Sequence, residues 1–223
     1  MSEKRSALLV LNGAPCTKEL ASAISSRVNF TACTDGAVTW YANYHLPVDL
    51  VAGDLDSAPY SLPEEAEILP LADQDFTDFE KTLKILIQRK FRQIYILGGI
   101  GGEYDHSLSN LIVMGRFADQ VSLVMIDDNQ RIHIVSDKKF RFSIKPKAEP
   151  IVSIFGWPEV TFKESSGLKY SLNGLTFDLQ RSGSRNTVVS DSVILESLEG
   201  RYLIIVNDNP LDILDLKNNT DLF

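Results

Sequence analysis

The stretch Ile94–His106, which reads IYILGGIGGEYDH, combines a short apolar run, a glycine-rich loop and a polar segment. The run IYIL does not alternate with polar residues, which is typical of a strand buried on both faces of a parallel sheet. Glycines after such a strand let the backbone approach a ligand closely, and the amides that begin the following helix can receive an anion. The stretch therefore predicts a strand, a ligand-binding loop and a helix.

The glycine loop does not match either of the common phosphate-binding motifs. It has no lysine in the position that a GxxxxGK[ST] loop requires, and Tyr104 stands where a GxGxxG motif would have its third glycine. Neither a P-loop nor a dinucleotide-binding fingerprint is predicted.

The same alternation of apolar runs and helical periodicity extends over the first part of the chain. The pattern predicts strands at 7–11, 30–33, 49–52, 94–97 and 121–126, and helices at 18–26, 37–44, 78–90 and 107–118. Strands and helices in alternation indicate βαβ units. We therefore expect an N-terminal three-layer α/β domain with a mostly parallel sheet, spanning residues 1–136.

The rhythm changes after about residue 129, where short runs alternate and are separated by Gly, Pro, Asn and Asp. These runs lie at 131–135, 139–144, 151–155, 160–163, 175–179, 187–196 and 202–206. Such spacing is typical of an all-β domain. We expect a small C-terminal β-sandwich spanning residues 137–223.

Composition and charge exclude several classes of protein. The chain has 223 residues and a net charge of −8 at pH 7, so no general nucleic-acid binding is expected. No apolar segment approaches the 18 residues of a membrane span, and no membrane association is expected. The two cysteines, Cys16 and Cys33, form neither a disulfide framework nor a zinc pattern, which favours a cytoplasmic location.

Acidic residues follow three of the predicted strands and one further short apolar run. They are Asp35 after the second strand, Asp54 and Asp56 after the third, Asp73, Asp75 and Asp78 after the short run Ile68-Leu69, and Glu103 and Asp105 after Leu97. Ligands of open parallel sheets bind beyond the carboxyl ends of the strands, and Mg²⁺ prefers oxygen ligands. Together with the glycine loop, these acids predict a metal–nucleotide site.

Several of these residues also have a purely structural interpretation. Thr77 and Glu80 fit a capping box that opens a helix at Asp78. Asp105 fits a helix N-cap, and His106 fits a histidine at a helix start.

Six segments of the chain resemble, in order and spacing, the signature blocks of thiamine pyrophosphokinases. They are DGA at 35–37, GDLDS at 53–57, DQDFTD at 73–78, the stretch from Gly98 to Leu111, GLKYSL at 167–172 and GSRN at 183–186. The resemblance implies an enzyme that transfers the diphosphate of ATP to the hydroxyl of thiamine, giving thiamine diphosphate and AMP, with Mg²⁺ as cofactor. It also implies a homodimer in which thiamine lies between the catalytic domain of one subunit and the β-domain of the other.

The resemblance assigns roles to individual residues. Asp54, Asp56, Asp75 and Asp78 would be catalytic, and Asp54, Asp56 and Asp75 would hold the metal. The nucleotide and phosphate site would comprise Asp35, Gly36, Gly98, Gly99, Asp105 and His106. Thiamine would be bound by Gln74, Ser184, Arg185 and Asn186. Gln74 and Glu103 depart from many bacterial relatives, which carry Lys and Arg there.

Two other functions remain open from the residues. One is a diphosphokinase of similar fold that acts on another alcohol, such as a pterin carrying a hydroxymethyl group. The GSRN segment at 183–186 favours thiamine over the pterin. The other is a non-catalytic nucleotide or thiamine diphosphate sensor, against which the acids in all four loops argue.

Overall fold

The computed structural model describes residues 5–56, 62–73, 75–144 and 150–211. The chain divides into two compact units, Met1–Asp127 and Asp128–Phe223. Among the described residues, no helix is both long and apolar enough to cross a membrane.

Six parallel strands and four helices are found among the described residues of the first unit. The strands are β1 (Ser6–Val10), β2 (Phe30–Thr34), β3 (Leu50–Gly53), β4 (Glu67–Pro70), β5 (Gln93–Leu97) and β6 (Ser122–Ile126). The helices are α1 (Lys18–Ser25), α2 (Val38–Ala42), α3 (Asp78–Gln88) and α4 (Tyr104–Phe117), with a 3-10 turn at Asp35–Ala37 before α2. The strands lie in the order β4-β3-β2-β1-β5-β6, and every neighbouring pair is parallel. The predicted α/β class and parallel sheet are confirmed.

The strand order creates a switch point between β1 and β5. From β1 to β4 each new strand is added on one side, and β5 then returns to the free side of β1. The central strands β1, β2 and β3 are buried along almost their whole length, as expected where both sheet faces are covered. In such sheets the loops at the carboxyl ends of the two strands that flank the switch point form the ligand crevice.

Helix α3 begins as its sequence predicts. Thr77 is the N-cap, and its Oγ1 accepts a hydrogen bond of 3.2 Å from the backbone N–H of Glu80. The Glu80 carboxylate contacts Lys84 Nζ at 2.9 Å and Arg116 Nη2 of α4 at 2.6 Å. The N-cap half of the predicted capping box is confirmed, while the glutamate joins α3 to α4.

Helix α4 begins at Tyr104, earlier than predicted. Glu103 occupies the N-cap position, so Asp105 lies inside the first turn and the interpretation of Asp105 as N-cap is wrong. The Asp105 carboxylate accepts a hydrogen bond of 2.8 Å from the backbone N–H of His106. An acidic side chain in the first turn is favourable there because the helix dipole places positive partial charge at this end.

The second unit is an antiparallel β structure built on two long strands. Its strands are β7 (Gln130–Val135), β8 (Lys139–Ser143), β9 (Ile151–Ser166), β10 (Thr176–Phe177), β11 (Gly183–Thr187) and β12 (Ser192–Asn207). Strand β12 pairs with β7, β8 and β9, and β9 pairs with β10 and β11. Because β7 pairs with β12 as a strand of this unit, the division of the chain lies earlier than the predicted boundary at residue 136.

The two long strands differ from the sequence-based expectation of several short ones. The segments predicted at 151–155 and 160–163 are parts of β9, and 202–206 belongs to β12. The single strand predicted at 187–196 is interrupted between Thr187 and Ser192. Register shifts between Glu196 and Tyr202 bend β12 without ending it, because a bulge inserts residues while pairing continues on both sides.

One apolar cluster contains residues from both ends of each long strand. It includes Val152 and Phe162 of β9 and Val193 and Val206 of β12, all fully buried. Strands that bend across a single core in this way make the two layers of a small sandwich. The prediction of a second, all-β part of the chain is confirmed.

Candidate functional site

A cavity of about 650 Å³ opens at the carboxyl ends of the strands of the first unit. This volume is in the range of small-molecule sites. Its walls come from Leu11–Ala14 after β1, Thr34–Gly36 after β2, Thr77–Phe79 at the start of α3, and residues between Gly98 and Asn110 after β5. The cavity therefore lies at the switch point, where the strand order predicts a ligand.

Three carboxylates come together beside this cavity. Asp35, Asp54 and Asp78 each offer an oxygen that lies within 4.8 Å of the other two. Asp35 is only 3% exposed, and both Asp35 and Asp78 line the cavity. Like charges at this separation repel one another, and a cation among them removes the repulsion. Carboxylate oxygens are the ligands that Mg²⁺ prefers, so the donor set fits this metal.

Glycines hold Asp35 in its place. The carboxylate Oδ1 accepts a hydrogen bond of 2.8 Å from the N–H of Gly36. A Cβ added to Gly53 would lie 2.6 Å from the Asp35 Cγ, which is closer than real contacts allow. The glycine that opens the GDLDS segment is therefore required, since any side chain there would displace Asp35.

The backbone separates the two acids of the GDLDS segment. Leu55, which stands between them, has a φ of 67°, which non-glycine residues rarely adopt. Asp54 turns towards Asp35, and its Oδ1 accepts a 3.3 Å hydrogen bond from the N–H of Asp56. Asp56 itself is exposed and belongs to none of the ligand groups found among the described residues.

Asp75 is also exposed and outside these groups. Its N–H donates a hydrogen bond of 2.8 Å to Asp73 Oδ1 in the same loop. Of the predicted metal set of Asp54, Asp56 and Asp75, only Asp54 belongs to a ligand group found among the described residues. Within the described residues, Asp54 groups with Asp35, which was expected at the phosphate site, and with Asp78, which was expected to be catalytic.

The glycine loop after β5 is connected to the loop after β1. Gly98 has a φ of 65°, and the N–H of Gly13 donates a 2.8 Å hydrogen bond to its carbonyl. The Asn110 side chain of α4 donates a 2.8 Å hydrogen bond to the carbonyl of Gly99. Gly98 and Gly99 thus have a structural role in addition to lining the cavity, and their approach to a ligand stays a prediction.

Sequence reasoning missed the segment Asn12–Ala14. It lines the cavity, and a Cβ on Gly36 would lie 2.5 Å from the Asn12 amide nitrogen. Asn12 and Gly13 directly follow the strand predicted at 7–11, and no site role was predicted for them. The same rule that selected the other loops could have selected this one, because β1 is also a parallel strand with its carboxyl end at this edge.

His106 and Asp105 differ in their relation to the cavity. His106 lines it with a side chain that is 77% exposed, and its Nε2 lies 3.9 Å from a Glu103 carboxylate oxygen. Asp105 is exposed and forms a surface group with these two residues. It is absent from the described residues that line the cavity, where it had been predicted.

The residues predicted to bind thiamine in the second unit fall into two kinds. Ser184 and Arg185 of β11 are exposed. Asn186 is buried, and its amide is hydrogen-bonded at both ends to the backbone of Tyr170, at 3.1 Å to the N–H and 2.7 Å to the carbonyl. Direct contact of Asn186 with a ligand is not supported, because its side chain already fixes Tyr170. Gln74 lies outside the described residues.

Comparisons with known proteins agree on one family. Residues 21–126 match the model of the thiamin pyrophosphokinase catalytic domain. Thiamin pyrophosphokinase 1 of Caenorhabditis elegans is 26% identical over 216 residues, covering 89% of this chain and 88% of that protein. Thiamine pyrophosphokinase 1 of Oryza sativa is 29% identical over 99 residues, covering 39% of this chain and 37% of that protein.

Solved structures show the same fold. The yeast thiamin pyrophosphokinase has a TM-score of 0.80 at 17% identity, covering 97% of this chain and 90% of that chain. The enzyme from Geobacillus thermodenitrificans has a TM-score of 0.78 at 19% identity, covering 92% and 98%. The chain is therefore similar in sequence to thiamin pyrophosphokinases, through the catalytic-domain match at residues 21–126 and the relative from Caenorhabditis elegans, and it shares the fold of the solved structures.

Proposed function

We propose that the chain transfers the diphosphate of ATP to the hydroxyl of thiamine, giving thiamine diphosphate and AMP, in a Mg²⁺-dependent reaction. The observation that carries this proposal is the group Asp35, Asp54 and Asp78 beside a glycine-lined cavity, in a chain that matches the catalytic-domain model of this family over residues 21–126. The cavity volume of about 650 Å³ suits a nucleotide.

The three carboxylates are the residues that would hold Mg²⁺. When bound, the ion neutralises phosphate charge and orients the polyphosphate for in-line displacement, which is most of what phosphoryl-transfer enzymes supply. The exposed acids Asp56 and Asp75 remain candidate ligands on the same two loops.

The chain's own residues position the reactants. The thiamine hydroxyl oxygen bonds to the β-phosphorus, the bond from that phosphorus to the oxygen bridging the α-phosphate breaks, and AMP leaves. A carboxylate of the 73–78 loop accepts the hydroxyl proton; Asp75 and Asp78 are both candidates. The positive end of α4, after the glycine loop, suits the charge of a phosphate group.

Release of AMP tests the proposal directly. Purified protein is incubated with ATP and Mg²⁺, with and without thiamine, and AMP and thiamine diphosphate are quantified. We expect AMP to form in step with thiamine diphosphate, and only when thiamine and Mg²⁺ are both present. Thiamine-independent AMP, or AMP formed only with a hydroxymethyl pterin, would contradict it.

We further propose that the protein is a cytoplasmic homodimer in which Ser184 and Arg185 approach thiamine. The family resemblance supports the dimer, and exposed apolar side chains of the second unit, such as Leu179 and Val189, are candidate contacts. Light scattering on the eluted protein tests the dimer. Replacement of Arg185 by Ala should raise the KM for thiamine more than the KM for ATP.

A further inference from the structure

Lys81 is a buried lysine whose ammonium group makes two hydrogen bonds and one ion pair. Its side chain is 9% exposed, and Nζ donates to the carbonyls of Leu71 at 3.0 Å and Asp73 at 2.9 Å. Nζ also lies 2.7 Å from Asp78 Oδ1, on the preceding turn of α3. Two of the three ammonium N–H groups thus donate to backbone carbonyls, and the positive charge is paired with the Asp78 carboxylate.

This arrangement joins two parts of the acidic site. The carbonyls of Leu71 and Asp73 belong to the loop that leaves β4, and Asp78 is one of the three grouped carboxylates. Asp78 Oδ1 is itself buried, whereas the Asp78 side chain as a whole is 31% exposed. Lys81 therefore contacts the buried oxygen of Asp78, and the exposed area of the Asp78 side chain belongs to its other atoms.

Lys81 brings a positive charge to the acidic site as well as hydrogen bonds. Burial of an ammonium is costly unless it is paired and hydrogen-bonded. Three carboxylates within 4.8 Å repel one another, and Lys81 supplies a positive charge to one of them. The lysine is thus placed to keep the group assembled before any metal arrives.

A second lysine of α3 contacts the same loop. Lys84 Nζ lies 3.4 Å from the centre of the Phe76 ring, one residue after Asp75. Because both lysines lie on the helix that Asp78 begins, α3 holds the acidic loop at more than one point.

We propose that Lys81 is a positioning residue that preassembles the metal site by fixing Asp78 and the 71–73 loop to α3. The inference rests on the proposed function for the role of the carboxylates. Lys81 is not among the described residues that line the cavity, and its role would be to hold the site in its binding conformation. Outer partners of metal ligands typically contribute 10- to 100-fold in metal affinity.

The test compares Lys81→Met with the matched control Lys90→Met. Both changes remove one lysine charge, and Lys90 is exposed just beyond the C-terminal end of α3, on the order of 14 Å along the helix from Lys81. Hydrogen–deuterium exchange of residues 67–73 is measured on metal-free protein, and Mn²⁺ affinity is measured by electron paramagnetic resonance titration.

We expect Lys81→Met to exchange faster at 67–73 without metal, to regain protection on Mn²⁺ addition, and to bind Mn²⁺ about tenfold more weakly. Metal binding is then coupled to ordering of the loop, which lowers the apparent affinity. Lys90→Met should match the unchanged protein in both measurements.

Lys81→Arg keeps the charge but replaces three converging donors by a planar fork, so intermediate exchange and intermediate Mn²⁺ affinity are expected. This variant also carries the test if Lys81→Met does not fold. Unchanged exchange at 67–73 in Lys81→Met, or Mn²⁺ binding as tight as in the unchanged protein, would overturn the proposal. Neither measurement requires turnover, so absence of thiamine-dependent AMP release would refute the proposed function alone.

Discussion

Replacement of Gly53 by Ala should disable the acidic site through a single steric contact. The added Cβ would lie 2.6 Å from Asp35 Cγ and 2.7 Å from Oδ1, whereas ordinary contact begins at 3.4 Å. The carboxyl group must therefore move by roughly 0.8 Å, and displacements of about 1 Å in a catalytic site can cost about 100-fold in rate. Gly53 does not have a positive φ, so the backbone itself accepts alanine. We expect kcat to fall by about 100-fold while the fold is kept.

The assay is AMP release under saturating ATP and thiamine, with circular dichroism as the check on folding. A control is Gly174→Ala in the second unit, where an added Cβ meets nothing within 4 Å but φ is +71°. That variant should lose roughly 1 kcal/mol of stability from backbone strain and keep its kcat.

A double-mutant cycle tests whether Gly53→Ala lowers kcat by displacing Asp35. If the alanine acts only by displacing Asp35, it should cause little further loss in an Asp35→Ala background. Two losses that multiply in the double variant, or a Gly53→Ala enzyme within twofold of normal activity, would refute the reasoning.

Two further predictions concern the carboxylates and a buried histidine. Asp54→Asn and Asp78→Asn should each weaken Mn²⁺ binding at least about tenfold, because each removes one charge of the grouped set, and equal affinity in a Mn²⁺ titration would argue against that set. His133 is buried, and burial, with the nearby Arg131, lowers its pKa to about 3. The unfolded chain binds a proton near pH 6.5 and the folded chain does not, so stability is lost as pH falls from about 6.5 towards 3, by up to about 1.4 kcal/mol per pH unit. Urea titrations between pH 7 and pH 5 should show a flatter pH dependence for His133→Leu than for the exposed-site control His45→Asn.

The parallel sheet could be predicted because its strands are short, apolar and separated by helical periodicity. The runs at 7–11, 30–33 and 94–97 are largely buried, so each is nearly continuous in apolar character and easy to recognise. The bounds of the long strands in the second unit could not be predicted in the same way. Gly200, with a φ of 90°, and the bulges around it interrupt the alternation of β12 without ending the strand. A pattern based on strict alternation divides such a strand in two, because the periodicity changes phase at a bulge.

The acidic loops were predictable, but the acids that meet within them were not. Chain order places carboxylates after β2, β3 and β4, and the rule for parallel sheets brings those loops to one edge. Which carboxylate of a loop points inward depends on single backbone angles. In the GDLDS segment that choice is made at Leu55, whose φ of 67° is unusual for leucine and is not signalled by any turn residue.

Leu55 also indicates why this loop has its observed conformation. A non-glycine residue held at positive φ stores backbone strain, which persists only where surrounding contacts determine the conformation. Here the constraint is local: Asp54 joins Asp35, and Gly53 leaves the space that Asp35 occupies. Leu55→Gly would relieve the strain and should leave the grouping of Asp54 intact, with Mn²⁺ affinity changed by less than about threefold. A loss of affinity as large as that of Asp54→Asn would mean that the leucine side chain, and not only its backbone angle, holds the loop in place.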